Sequence, residues 1–285
     1  MVIILGEMKF VGVFSTSNGR PLDRHARIYR QNTPQPCHTS QHSCCSSGNL
    51  REEDLETRVK NILPIKIATY PGLNLKNIRS KKCYAGPYEN CTVPEFLSEI
   101  CMDAEFSGVI ACIMLCNDDR HIGKDAKVEV KVHDYFTQLS SIFNTVKGIE
   151  NAQLLIISTA LYRQWDLHRD QRAYLPKKIE FNSALVEMVE KNMVKLEVAG
   201  RFIPCKIVDM RGVQDIEKMA QKSDIENYFC KNERQGQKIH LRGQLIDQFL
   251  IKTKTHYKAY TKSIRRSRPH NPFFYFCKMY DAMID

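Results

Sequence analysis

The polar groups with the most chemical promise stand directly behind an apolar run. Residues 109–116 (VIACIMLC) carry no charge and no strong polar group, and the chain then reads Asn117, Asp118, Asp119. A run that short and wholly apolar fits a strand buried on both faces, at the centre of a parallel sheet. In open α/β sheets the ligand crevice lies beyond the carboxyl ends of the strands, so an amide and two carboxylates there fall where sites form. Asn117 taken alone is as well explained as an Asx cap on the strand. Two adjacent carboxylates without further ligands fall short of a metal site.

Two other groupings bear on chemistry. Cys37, His38, His42, Cys44 and Cys45 offer soft sulfur and imidazole to zinc. The adjacent Cys44-Cys45 pair is poor chelate geometry, however, and no CxxC-type pair completes a knuckle, so no metal or other cofactor is expected. The second grouping is a basic run: Lys252, Lys254, Lys258, Lys262, Arg265, Arg266 and Arg268, with no acid among them and with Tyr257 and Tyr260 interleaved. Such a run reads as a solvated, partly helical extension or an import signal. The sharper alternative is nucleic-acid contact, with cations on phosphates and tyrosines stacking on exposed bases.

The elements that must position these groups follow from periodicity. The first strand is either residues 2–5 or residues 10–14, each ending in a turn. Residues 65–69 (IKIAT) alternate as a strand and lead into Tyr70-Pro71-Gly72, a turn signal. Pro94 opens a helix with Phe96, Leu97, Ile100, Cys101 and Ala104 on one stripe, and Gly108 ends the turn before the central strand. Val132, Phe136, Leu139, Phe143 and Val146 mark a helix ending at Gly148. A strand rich in apolar residues follows at 152–158 (AQLLIIS), then a helix through Phe181, Leu185, Met188, Val189 and Met193. A strand at 204–209 precedes a last helix carrying Leu241, Leu245, Ile246, Phe249 and Leu250. Alternating strands and helices predict a three-layer α/β/α fold around a doubly wound parallel sheet of about five strands, flavodoxin-like in plan.

Composition bounds the rest. At 285 residues, with 43% hydrophobic and 26% charged residues, the chain can bury a substantial core. Residues from 31 to about 56 are poor in large apolar groups and read as a flexible insertion. The fold is expected to occupy residues 1–250 and a basic C-terminal extension residues 251–285. Of the net charge of +10, the seven cations of the basic run account for all but +3. No segment has the roughly 20 apolar residues that span a bilayer. The N-terminus lacks a basic region before its apolar run, which argues against a secretory signal. Eleven cysteines, an odd number in a chain of this length, read as reduced thiols. The expectation is a cytosolic or nuclear protein with a protein partner, with nucleic acid as a further partner through the basic run and without membrane association.

The order of four turns resembles the SGNH, or GDSL-type, hydrolases: TYPG (69–72), LCND (115–118), IISTALYR (156–163) and IHL (239–241) before the last helix. The resemblance covers roughly residues 1–250. It implies a serine nucleophile on the turn after the first strand, and an oxyanion hole built from a glycine amide and the ND asparagine. It also implies a histidine base oriented by an acid three residues earlier. That chemistry needs these types because a serine hydroxyl is inert without a base, the base needs an acceptor to fix its tautomer, and the tetrahedral oxyanion needs donors.

Carried over, Asn117 matches the asparagine and His240 the histidine. The acid position holds Gln237, and the glycine two residues before Asn117 is Leu115. With the first strand at 2–5, the GDS triplet falls on Gly6-Glu7-Met8, with methionine at the nucleophile. With it at 10–14, Ser17 takes that position, and the glycine and aspartate before it are absent. Glu233 and Asp209 are acids that could replace Gln237 as the partner of His240. Three functions follow: a catalytically degenerate scaffold acting as a binding or regulatory module, a weak serine esterase using Ser17 and His240, or a nucleic-acid-associated protein binding through the basic run.

Overall fold

A computed structural model describes residues 9–23, 26, 63–113, 127–162, 175–214, 216, 228–229, 241 and 243–267. Five parallel strands form one sheet: β1 (Phe10–Ser15), β2 (Ile65–Thr69), β3 (Phe106–Ile113), β4 (Leu154–Ser158) and β7 (Cys205–Val208), in the order β2-β1-β3-β4-β7. Between β4 and β7 in sequence lies a separate antiparallel hairpin, β5 (Leu196–Val198) and β6 (Arg201–Ile203). The helices are α1 (Val93–Met102), α2 (Val128–Phe143), α3 (Leu175–Glu190) and α4 (Gly243–Ser267).

The period of two along each strand separates two cores. Phe10, Phe14, Ile110, Cys112, Leu155 and Ile157 point to the face covered by α1, α2 and α3. Val11, Val13, Val109, Ala111, Ile113 and Ile156 point to the other face, where Ile246, Phe249 and Leu250 of α4 pack with Leu22. The result is the expected three-layer α/β/α architecture around five parallel strands. Its strand order reverses direction at β1 and β3, the point at which doubly wound sheets open a crevice.

Local chemistry explains most boundaries. Thr92 caps α1, its hydroxyl accepting from the Glu95 amide while the Glu95 carboxylate accepts from the Thr92 amide, a reciprocal capping box. Tyr70-Pro71-Gly72 turns the chain with Gly72 at φ 69° and the Leu73 amide bonded to the Tyr70 carbonyl at 3.1 Å. Gly108 lies inside β3 rather than before it, at φ 80°, beside the register shift between β1 and β3. Helix α2 ends at Phe143, five residues before the glycine expected to stop it. Gly148, at φ 74°, instead heads a 3-10 turn at Ile149–Asn151. The β5–β6 hairpin was missing from the sequence reading. Its turn uses Ala199 and Gly200, both at positive φ, without the Asn-Gly signal that usually marks such turns.

Helix α4 runs on without a break past residue 250, where the sequence reading ended the domain. Its buried stripe continues into the basic run: Thr253 is fully buried, and Tyr257 and Tyr260 pack against the same core as Phe249. The Tyr260 hydroxyl donates to Gln153 Oε1 at 2.6 Å, and His256 Nε2 lies 2.9 Å from the Ile207 carbonyl oxygen on edge strand β7. Cys101 and Cys205 are buried thiols, each pushed up to about 12 by loss of solvation. The 31–56 insertion with Cys37, His38, His42, Cys44 and Cys45 lies outside the described residues, as do residues 2–8.

Gly12 sits in β1 beneath α1, where a Cβ would come 2.0 Å from Ile100 Cδ1. The absent side chain lets α1 settle onto the central strand. Gly12→Ala should therefore destabilise the fold by about 1–3 kcal/mol through overpacking. Adding Ile100→Val, which removes that methyl, should recover part of the loss. Denaturant titration of the two single variants and the double variant measures the coupling, and strictly additive costs would show that the contact does not limit the approach.

Candidate active site

The strand between β2 and β3 is Phe10–Ser15, so the turn leaving the sheet at its switch point carries Thr16, Ser17, Asn18 and Gly19. That turn is anchored to the end of β3. The Thr16 amide donates to the Ile113 carbonyl at 2.9 Å and the Ser15 hydroxyl donates to the same oxygen at 3.3 Å. Thr16 then caps the 3-10 turn Ser17–Leu22, its hydroxyl accepting from the Asn18 amide. The Gly19 amide donates to the Thr16 carbonyl at 2.9 Å. A Cβ on Gly19 would fall 2.4 Å from both Cβ and Oγ of Ser15, so only glycine lets the turn fold this tightly.

Ser17 heads that turn and is 9% exposed, with no hydrogen-bond partner for its hydroxyl among the described residues. Its neighbour Asn18 is buried, and its Oδ1 accepts the Leu241 amide at 3.0 Å across 223 residues of sequence. Leu241 also bridges Phe229 in antiparallel fashion, just before α4 begins. One buried hydrogen bond thus joins the residue after Ser17 to the residue after His240. His240 itself, Asn117, Asp118, Asp119, Leu115, Glu233 and Gln237 lie outside the described residues, although β3 ends at Ile113, four positions before Asn117.

Asp209 is already committed elsewhere. Its carboxylate takes Arg211 Nε at 2.9 and 3.1 Å, Arg211 Nη2 at 2.7 Å and the Arg211 amide at 2.9 Å. Burial alone would raise this carboxyl, but the hydrogen bonds and charge of Arg211 outweigh it and hold the group below the usual carboxylate range. A carboxylate saturated by a guanidinium has little left to orient an imidazole.

A second feature escaped the sequence reading. The chain leaving β4 is clamped by buried amides: Asn182 accepts from the Ala160 amide and donates to the Ala160 carbonyl, while Gln214 makes the same reciprocal pair with Tyr162. The Thr159 hydroxyl accepts the Met210 amide, and the buried Lys178 ammonium donates to the Leu161 carbonyl. These bonds leave the backbone after β4 little freedom at the same edge of the sheet as Ser17. Asn182 and Gln214 stand on elements far from β4 in sequence, so no local pattern marks them. Among the described residues no group of three metal-ligating side chains occurs.

Comparison with known proteins adds a distant likeness. No family model matches the chain, and no curated protein matches it in sequence. The crystal structure of a proposed acylhydrolase from Bacteroides fragilis NCTC 9343 superposes with a TM-score of 0.40 and 11% identity, covering 88% of each chain. The α/β fold assigned to this protein therefore rests on its own strand order and layers.

Replacing Asn18 isolates the bond that joins the two chain segments. Asn18→Ala leaves the Leu241 amide buried without an acceptor, at a cost of about 1–3 kcal/mol. Asn18→Asp keeps an acceptor and should recover most of it. Hydrogen exchange at Leu241 and in the first turn of α4 should quicken in the alanine variant alone. Stability within about 0.5 kcal/mol of wild type, the range of an ordinary surface change, would mean that the bond holds nothing together.

Proposed function

We propose that the protein is a slow serine ester hydrolase of SGNH-like type, with Ser17 as nucleophile and His240 as its base. The observation that carries this reading is the buried bond from the Leu241 amide to Asn18 Oδ1, which ties the chain next to His240 to the chain next to Ser17 at the carboxyl edge of the sheet. Support also comes from the position of β1. With the strand at Phe10–Ser15, the following turn offers a serine, not the methionine that the alternative alignment would put there.

In the proposed reaction Ser17 Oγ attacks an acyl carbonyl while His240 removes its proton, and Asn117 donates to the oxyanion. Gln237 stands at the position of the orienting acid, and an amide can accept the imidazole N–H but carries no charge to stabilise the imidazolium. In an acid-dependent triad that loss costs on the order of 10⁴-fold in rate, so slow turnover follows. Gln237 and Leu115 equally favour a second reading, in which the same crevice binds an acyl compound without turnover and the protein acts as a binding or regulatory module.

Fluorophosphonate labelling of the full chain separates the two. Labelling that disappears in Ser17→Ala and in His240→Ala is the expected result. Gln237→Asp, which restores the charge, should raise kcat/KM on a short acyl ester by about 10²–10⁴-fold. Absence of labelling in folded wild-type and Gln237→Asp protein would establish the non-catalytic reading.

A further inference from the structure

Helix α4 serves two surfaces. One stripe, through Ile246, Phe249, Thr253, Tyr257 and Tyr260, packs on the sheet. On the opposite side Lys258 and Lys262 are exposed, and with half-buried Lys254 before them and Arg266 after them they recur every fourth residue. Residues four apart form a ridge along one side of a helix, so the four positions make a row with one cation per roughly 6 Å of helix axis. Lys252 and Arg265 stand beside that row in sequence. No acidic residue occurs between 248 and 267, and neither Lys258 nor Lys262 forms an ion pair with a described residue.

Stability does not account for this row. Like charges four residues apart weaken a helix. Cations favour the helix dipole only within the last turn, which covers Arg265 and Arg266 but not Lys254, Lys258 or Lys262. We propose that this row is a binding surface for single-stranded nucleic acid, contacting the phosphate backbone without reading or stacking the bases. A regular line of cations calls for a partner with regularly repeated negative charge. A flexible strand can lie along a straight row, whereas a duplex strand winds away from it.

The tyrosines do not take part, which corrects the stacking expected from sequence. Tyr257 and Tyr260 pack against the core, and the Tyr260 hydroxyl is held by Gln153. A membrane suits the surface less well. Interfacial helices sink an apolar face into lipid, and here that face is spent on the sheet. This inference is independent of the Ser17 and His240 reading.

Fluorescence anisotropy of the full chain with single-stranded RNA homopolymers, from about 50 to 200 mM salt, tests it. Backbone contacts by Lys258 and Lys262 predict a slope of log K on log salt of about −1.4 or steeper, at about −0.7 per cation. Lys258→Gln with Lys262→Gln should reduce the slope by about 1.4, equivalent to about 25-fold weaker binding near 0.1 M salt. Both residues are exposed, so the melting temperature should hold, and Lys258→Arg with Lys262→Arg should keep wild-type binding. Oligo(U) and oligo(A) should bind equally. The proposal is overturned by a slope near zero, by unchanged binding in the glutamine variant, by marked preference for oligo(A), or by tighter binding to phosphatidylserine vesicles than to RNA.

Discussion

Strands β1 and β3 lie side by side at the centre of the sheet with their apolar side chains buried on both faces, and the remaining architecture answers to that pair. A parallel strand buried on both faces needs a helical layer above and another below, because its side chains alternate between them. Gly12 and Gly108 show how tight the pairing is. One lets α1 descend onto β1, and the other absorbs a register shift between the strands at positive φ. Where the pair ends, the backbone of Thr16 bonds to Ile113, and the turn that carries Ser17 begins from that fixed point.

The second layer explains why α4 is long. Covering the far face needs apolar contacts from the carboxyl edge, where Leu241 meets Asn18, to the amino edge, where Tyr260 meets Gln153. At about 1.5 Å per residue, the 25 residues of Gly243–Ser267 give a rod of about 37 Å, enough to cross the sheet and carry a free face outward. The same helix therefore anchors the chain next to His240 at one end and displays lysines along its back. Both ends of the helix thus depend on the packing of one stripe against the sheet.

The buried amide clamps at Asn182 and Gln214, with the Asn18 acceptor, have a common logic. Each satisfies backbone groups at the carboxyl edge that the sheet leaves unpaired. Unsatisfied backbone groups at that depth would be costly, and pairing them with side chains from distant elements also makes the loops rigid. The loops that leave β1 and β4 are thereby held in fixed positions at the same edge of the sheet.

The sequence alone determined the fold class, because apolar runs of strand length alternating with helical stripes have few packings. IKIAT became β2 residue for residue, and the helix read from Pro94 is α1, which starts one residue earlier at Val93. It could not choose between residues 2–5 and 10–14 for the first strand, since both are short and apolar, so the alignment of Ser17 stayed open. Tertiary structure decided that Phe10–Ser15 lies between β2 and β3, because only register across neighbouring strands distinguishes one apolar run from another. It also turned the basic run, up to residue 267, from an extension into part of α4, with Arg268 outside the described residues. The reason is that Thr253, Tyr257 and Tyr260 look like polar tail residues in sequence, and only the surface they bury against shows that they belong to the core side of a helix.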